Sequence, residues 1–105
     1  MSSESQVFHR VAAVEEIAPG TGRQVEIEGN TIAVFHLGGE FHATSDLCPH
    51  RGASLAEGFL DAGKVFCPWH CFDFHLTTGA CEMVPSLRIQ IYPVKVENGE
   101  VFVAC

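Results

Sequence analysis

Four residues in the middle of the chain have the side-chain types that bind transition metals most readily. Cys48 and His50 are separated by one residue, sixteen residues follow, and Cys67 and His70 are separated by two, so the pattern is C-x-H-x16-C-x2-H. Thiolate and imidazole donors suit zinc or iron, and they do not suit magnesium or calcium. A lone cysteine or histidine would more often be a packing or loop residue. Four at this spacing predict a metal centre held by two short loops.

The order of the donors separates two kinds of metal site. A zinc finger normally groups its first two cysteines together and its histidines together, whereas each pair here has one cysteine and one histidine. This order fits a [2Fe-2S] cluster in which two cysteines bind one iron and two histidines bind the other. With these donors in place, the segments CPWHCFDFHLTTG and IYPVKVENGEVFV resemble the Rieske family, specifically the small Rieske-type ferredoxins.

The resemblance implies a cofactor and a set of ligands. Cys48 and Cys67 would hold the inner iron of one Rieske-type [2Fe-2S] cluster, and His50 and His70 would hold the outer iron. Family members expose the histidine edges at the tip of the molecule, which makes these histidines the expected electron exit. Both irons would be fully coordinated. The chain is therefore expected to carry single electrons, without catalysing a reaction or binding a small-molecule substrate of its own.

The resemblance also implies redox partners. The leading expectation is a ferredoxin of a bacterial oxygenase system, which accepts electrons from an NAD(P)H-dependent flavoprotein reductase and passes them to a terminal ring-hydroxylating oxygenase. The first alternative is a small Rieske subunit of an NAD(P)H-dependent nitrite reductase, where a related CPWH loop occurs. The second alternative is a zinc-binding interaction module without a redox role.

Several positions depart from the family pattern. High-potential Rieske proteins have a disulfide between the two cluster loops, and the matching positions here are Ala53 and Trp69. The resemblance therefore implies a reduction potential toward the lower end of the Rieske range. Cys71 replaces a glycine that many relatives have, and His75 replaces an aspartate. The cysteines to which the sequence assigns no role are Cys71, Cys81 and Cys105.

Length and composition limit the possible functions. The chain has 105 residues, so residues 1–105 are expected to form a single domain with one modest core. A formal net charge of -7 with only six Lys and Arg residues argues against nucleic-acid binding and favours a protein partner with a basic patch. No stretch approaches the roughly 20 apolar residues of a membrane span. The chain is therefore expected in the cytoplasm, away from membranes.

Alternating β-branched residues and turn formers predict a mainly β chain. QVEIEGNTIAVFHL reads as two strands with a turn at Gly29–Asn30, and Gly38–Gly39 leads into a third strand. Asn98–Gly99 predicts a two-residue hairpin that places the four valines of VKVENGEVFVA on one face. With the resemblance, the expected fold is a Rieske-type antiparallel sandwich or barrel. A two-loop cluster-binding subdomain is inserted at about 46–86.

Overall fold

The computed structural model describes residues 7–48, 52–68 and 72–105. Ten strands and two short 3-10 turns lie within this part of the chain, and every strand pair is antiparallel. The strands are β1 (Phe8–Ala13), β2 (Gly22–Ile27), β3 (Asn30–Leu37), β4 (Glu40–Ser45), β5 (Phe59–Asp61), β6 (Lys64–Phe66), β7 (Asp73–His75), β8 (Ile91–Tyr92), β9 (Val94–Glu97) and β10 (Glu100–Ala104). The 3-10 turns are Val14–Glu16 and Leu55–Glu57. The predicted mainly β fold class is confirmed.

The strands form three small sheets. One has the order β1-β10-β9, the second has the order β2-β3-β4-β8, and the third has the order β5-β6-β7. The third sheet lies inside the predicted insertion, which the sequence had suggested was mainly loop. Each of its strands has three residues, too few for an alternating pattern to stand out in the sequence. Among the described residues, no helix has the length and hydrophobicity needed to cross a membrane.

Four hairpins turn through two residues that both have positive φ. The φ values are 51° and 86° at Glu28–Gly29, 60° and 84° at Gly38–Gly39, 53° and 77° at Ala62–Gly63, and 52° and 75° at Asn98–Gly99. This is the geometry of type I′ turns, whose twist matches that of the flanking strands, and glycine occupies the second position each time. Two of the predicted turns are confirmed, and the one predicted at Gly29–Asn30 lies one residue earlier.

The C-terminal hairpin has the register that the sequence predicted. Val96 pairs with Val101, and Val94 pairs with Val103. Val101 and Val103 are fully buried, whereas Val96 is 48% exposed. The shared valine face is therefore fully covered only along β10.

Two groups of buried residues share strand β3. The sandwich core draws on the first two sheets and consists of Ala12, Ile17, Ile27, Ile32, Val34, Ala43, Val101 and Val103. The loop core consists of Ala33, Phe35, Cys48, Ala53, Leu55, Val65, Cys67, Phe74, Leu76, Cys81 and Ile89. Since successive side chains of a strand point to opposite faces, Ile32 and Val34 enter one core while Ala33 and Phe35 enter the other. β3 therefore links the loop region to the sandwich.

Gly79 is a point of close backbone approach at the border of the loop core. A Cβ atom at this position would lie 2.2 Å from the carbonyl oxygen of Ile89. The amide nitrogen of Ile89 donates a 2.9 Å hydrogen bond to the carbonyl oxygen of Gly79. Gly79 also has a φ of +80°, a left-handed conformation that disfavours a side chain. This contact joins the segment after β7 to the segment before β8.

Replacing Gly79 with alanine should destabilise the protein more than the same change at Gly20. Gly20 has a similar φ of +83°, and a Cβ atom there would meet no atom within 4 Å. Gly20→Ala should therefore show only the left-handed strain, about 1–2 kcal/mol or roughly 5–10 °C in Tm. Gly79→Ala should lower Tm by at least about 10 °C more, since it adds a backbone overlap. Thermal unfolding followed by circular dichroism of the metal-loaded proteins tests this, and equal losses would contradict it.

Candidate metal centre

Cys48 and Cys67 each begin a short loop, and the two loops close through equivalent hydrogen bonds. The amide nitrogen of Cys48 donates to the carbonyl oxygen of Ala53 at 2.8 Å, and that of Cys67 donates to the carbonyl oxygen of Phe72 at 2.8 Å. In both loops the acceptor is the fifth residue after the cysteine. The first loop has a second bond, from the Gly52 amide to the Cys48 carbonyl oxygen at 2.7 Å. In both loops, backbone hydrogen bonds therefore hold the described ends together.

Both cysteines belong to the loop core. Cys48 is 1% exposed and Cys67 is 0% exposed. The pairing of Leu47 with Ser54 holds the first loop after β4, and β6 leads directly into the second loop. The fold thus brings the two predicted sulfur ligands into one buried region.

The remaining members of the predicted centre lie outside the described residues. They are His50, Trp69, His70 and Cys71. By position in the chain, each predicted histidine ligand falls between the ends of a closed loop, at 48–53 or 67–72. Ala53, which matches a disulfide position of high-potential Rieske proteins, is buried in the loop core. Two buried cysteines, each followed by a histidine in its own loop, are a donor set that fits an iron–sulfur cluster.

Asp46 fixes the first loop from inside the protein. Its side chain is fully buried. Oδ1 accepts hydrogen bonds from the Ser54 hydroxyl and the Ala56 amide, both at 3.0 Å, and Oδ2 accepts one from the Gln24 side-chain amide at 2.7 Å. Asp46 therefore joins β2 to the far end of the first loop. The sequence alone does not reveal this residue, because its only local signal is an acidic residue between a strand and a predicted ligand.

A partly buried ion-pair network lies beside the second loop. The Lys64 ammonium is 3.1 Å from Asp73 Oδ2 and 2.8 Å from Glu82 Oε1. His75 Nε2 lies 3.6 Å from Glu82 Oε2. Lys64 and Asp73 belong to the neighbouring strands β6 and β7, and Glu82 follows β7. The network therefore ties the segment after β7 to the third sheet, and it includes the histidine that departs from the family pattern.

The network shifts the pKa values of its three strongest members. The hydrogen bond to Glu82, and then the one to Asp73, raises the pKa of Lys64. Burial alone would raise the pKa of Asp73, but hydrogen bonds from Lys64 and from backbone amides outweigh it, so the pKa is lowered. The hydrogen bond from Lys64 lowers the pKa of Glu82. All three groups are therefore charged near neutral pH.

Two further described cysteines lie outside the two loops. Cys81 is buried in the loop core, where its sulfur accepts a 3.4 Å hydrogen bond from the Val84 amide and lies 3.9 Å from Asp73 Oδ1. Cys105 packs against the sandwich core. Both are free thiols in the part of the chain that the structure covers. Their surroundings are those of packing residues.

Replacing Lys64 with methionine should lower Tm at pH 7 by several degrees, because the buried Asp73 carboxylate would lose its cation. In the native protein, the Asp73 contribution is present above its unfolded-state pKa of about 4 and is lost as pH falls through the lower folded-state pKa. In Lys64→Met, burial should instead raise the Asp73 pKa above its unfolded value, so lowering the pH from 7 to 5 should stabilise the variant. The difference in Tm between the native protein and Lys64→Met should therefore be smaller at pH 5 than at pH 7. Melting curves at both pH values test this, with Lys95→Met as the exposed control, and a gap that widens would contradict it.

The chain is similar in sequence to proteins whose family is known. The family profile described as the Rieske [2Fe-2S] domain matches residues 7–93, which include both cysteine loops. The chain is 42% identical over 101 residues to the 3-phenylpropionate/cinnamic acid dioxygenase ferredoxin subunit of Photorhabdus laumondii, and the match covers 94% of this chain and 93% of that protein. Relatives of this kind are named as ferredoxin components and not as catalytic enzymes.

Solved structures have the same fold. A ferredoxin from a complex of reduced oxygenase and oxidized ferredoxin in carbazole 1,9a-dioxygenase is similar with a TM-score of 0.85 and 37% identity, covering 93% of both chains. A Mycobacterium tuberculosis protein described as an NADH-dependent nitrite reductase small subunit is similar with a TM-score of 0.89 and 30% identity, covering 95% of this chain and 96% of that one. With the profile match and the paired cysteine loops, these likenesses establish that the chain belongs to the Rieske [2Fe-2S] domain family, as an electron carrier whose cofactor is a [2Fe-2S] cluster.

Proposed function

We propose that Cys48, His50, Cys67 and His70 are the ligands of the cluster, with the cysteines on one iron and the histidines on the other. The observation that supports this assignment is the equivalence of the two loops, which begin at buried cysteines and close through matching hydrogen bonds. Each loop then contributes one sulfur and one nitrogen donor, as a Rieske centre requires. When bound, the cluster accepts and releases one electron per cycle.

The residues around the two cysteines prepare the site for electron transfer. Leu55, Val65 and Phe74 are fully buried members of the loop core, so they keep water away from the cysteine side of the site. The matching amide-to-carbonyl hydrogen bonds fix the backbone at Cys48 and Cys67. A dry and fixed environment of this kind controls the potential of a cluster and limits how far its surroundings must rearrange when its charge changes.

The proposed electron donor is an NAD(P)H-dependent flavoprotein reductase, and the proposed acceptor is a terminal oxygenase. The name of the Photorhabdus relative, a ferredoxin subunit of a dioxygenase, supports this acceptor. So does the solved complex in which a similar ferredoxin is bound to the oxygenase of carbazole 1,9a-dioxygenase. A net charge of -7 favours encounter with partners that carry basic patches. The proposed compartment is the cytoplasm, where thiols such as Cys81 and Cys105 stay reduced.

A second candidate function is supported by one specific likeness. The structure described as a nitrite reductase small subunit has a TM-score of 0.89 with this chain and covers nearly all of it. In that case the electrons would pass to the large subunit of an NAD(P)H-dependent nitrite reductase. The third possibility raised by the sequence, a zinc module without a redox role, does not agree with the [2Fe-2S] family assignment.

The ligand assignment predicts which variants lose the cluster. Purified wild-type protein should be red-brown, with two irons and two sulfides per chain, and should give the low-average-g paramagnetic signal of a Rieske centre when reduced. Cys48→Ser and Cys67→Ser should lose most of the iron, and His50→Ala and His70→Ala should lose the Rieske signal. Cys105→Ser is the matched control and should retain all of it, because Cys105 packs against the other core. Iron and sulfide analysis with paramagnetic resonance tests this. A zinc-containing wild type, or a Cys67→Ser protein with a full cluster, would contradict it.

The partner assignment predicts which enzyme the protein supports. With NADH and a flavoprotein reductase, the holoprotein should increase product formation by a ring-hydroxylating oxygenase at least about tenfold. The rate should fall as salt rises toward 0.5 M, because salt screens the attraction between charged partners. Cys67→Ser, which is expected to lack the cluster, serves as the inactive control. Support of nitrite reduction with no effect on any tested oxygenase would favour the second candidate instead.

A further inference from the structure

Asp46 is a buried carboxylate, and its side-chain hydrogen-bond donors among the described residues are all neutral. The donors are the Gln24 side-chain amide, the Ser54 hydroxyl and the Ala56 backbone amide. Within residues 7–48, 52–68 and 72–105, no Lys, Arg or His forms a salt bridge with Asp46. In this part of the chain its negative charge is therefore dispersed by hydrogen bonds and is not cancelled by a cation.

Hydrogen-bond donors surround the Asp46 carboxylate. The nitrogens of Gln24 and Ala56 can only donate, and the Ser54 hydroxyl donates to Oδ1. These donors complement the negative charge that an aspartate side chain ordinarily carries at neutral pH. Asp46 therefore places a negative charge at the first loop.

This charge lies beside the first loop of the proposed centre. Asp46 precedes Cys48 by two residues, so their Cα atoms are at most about 7 Å apart. Its partners Ser54 and Ala56 follow the residue that closes the same loop. Asp46 is also fully buried, and a charge acts more strongly through the protein interior than through water, because the effective dielectric constant is several times lower.

We propose that the Asp46 carboxylate lowers the reduction potential of the cluster through its negative charge. Reduction adds one electron to the cluster without removing the Asp46 charge, so the carboxylate disfavours the reduced state. Gln24, on β2, donates to the carboxylate without adding a positive charge that would oppose this effect. The inference rests on the proposed assignment of Cys48 as a ligand. It gives Asp46 a role in the energetics of electron transfer in addition to its role in shaping the loop.

Four variants separate charge from structure. Asp46→Asn removes the charge and nearly preserves the volume. Gln24→Lys places an ammonium group near the carboxylate, and Gln24→Met has a similar length without a charge or a donor. Glu57→Gln removes an exposed carboxylate from the 3-10 turn after the first loop. The midpoint potential of each holoprotein is measured by an optical redox titration at pH 7, after iron and sulfide analysis has confirmed a full cluster.

Asp46→Asn and Gln24→Lys should both raise the midpoint potential. At a fixed solution potential, the ratio of reduced to oxidised protein should increase about threefold or more, which is about 28 mV at 59 mV per factor of ten. Gln24→Met and Glu57→Gln should change this ratio less than about 1.5-fold. In Gln24→Met the buried charge remains, and in Glu57→Gln the lost charge is screened by solvent.

The outcomes distinguish the inference from the ligand assignment. If the midpoint potential of Gln24→Met rises as much as that of Gln24→Lys, the loop structure and not the charge sets the potential, and the inference would be wrong. Full clusters with unchanged potentials in Asp46→Asn and Gln24→Lys would overturn it too, while the ligand assignment would stand. If Asp46→Asn cannot assemble a cluster, the Gln24→Lys and Gln24→Met pair decides the question alone. A cluster that survives in Cys48→Ser would instead refute the ligand assignment.

Discussion

Both halves of the molecule depend on β3, because this strand is buried on both faces. Ile32 and Val34 fill the sandwich core, while Ala33 and Phe35 fill the loop core beside the two cysteines. A slip of one residue in the pairing of β3 would exchange these two sets of side chains. The register of the sandwich and the position of the two cysteine loops are therefore fixed by the same interaction. A carrier built in this way can hold in place two loops that are far apart in sequence, without a disulfide between them.

The two loops have the same hydrogen-bonded outline but different local support. In both, an amide-to-carbonyl hydrogen bond closes the chain five residues after a buried cysteine. Their surroundings differ, because the first loop is supported by a carboxylate with neutral donors and the second lies beside a network that includes Lys64. The Asp46 charge lacks a cation among the described residues, whereas the Asp73 charge is paired. The two loops are therefore similar in backbone structure, but the charges beside them differ.

Local chemistry explains what the sequence could predict. The four proposed ligands are recognisable by donor type and spacing, and Asn98–Gly99 is recognisable because few residue pairs adopt positive φ twice in succession. The third sheet was missed because its three-residue strands are too short for a periodic pattern. Asp46 was missed because it is recognisable by its contacts, and its hydrogen bond from Gln24 forms only after β2, β3 and β4 have paired. Local signals thus point to the proposed ligands, whereas the groups that support them depend on tertiary structure.

The pairing of β1 with β10 has a consequence for the architecture of larger proteins. Phe8 lies opposite Ala104 in this ladder, and neighbouring strands are about 5 Å apart, so the two ends of the described fold leave from the same end of this sheet. That end of the sheet belongs to the sandwich and not to the sheet beside the second cysteine loop. A short peptide could bridge the two ends, and the whole unit could be inserted into a surface loop of another polypeptide with little distortion of either. Its fold is thus suited both to a diffusing carrier and to a module tethered beside its redox partner.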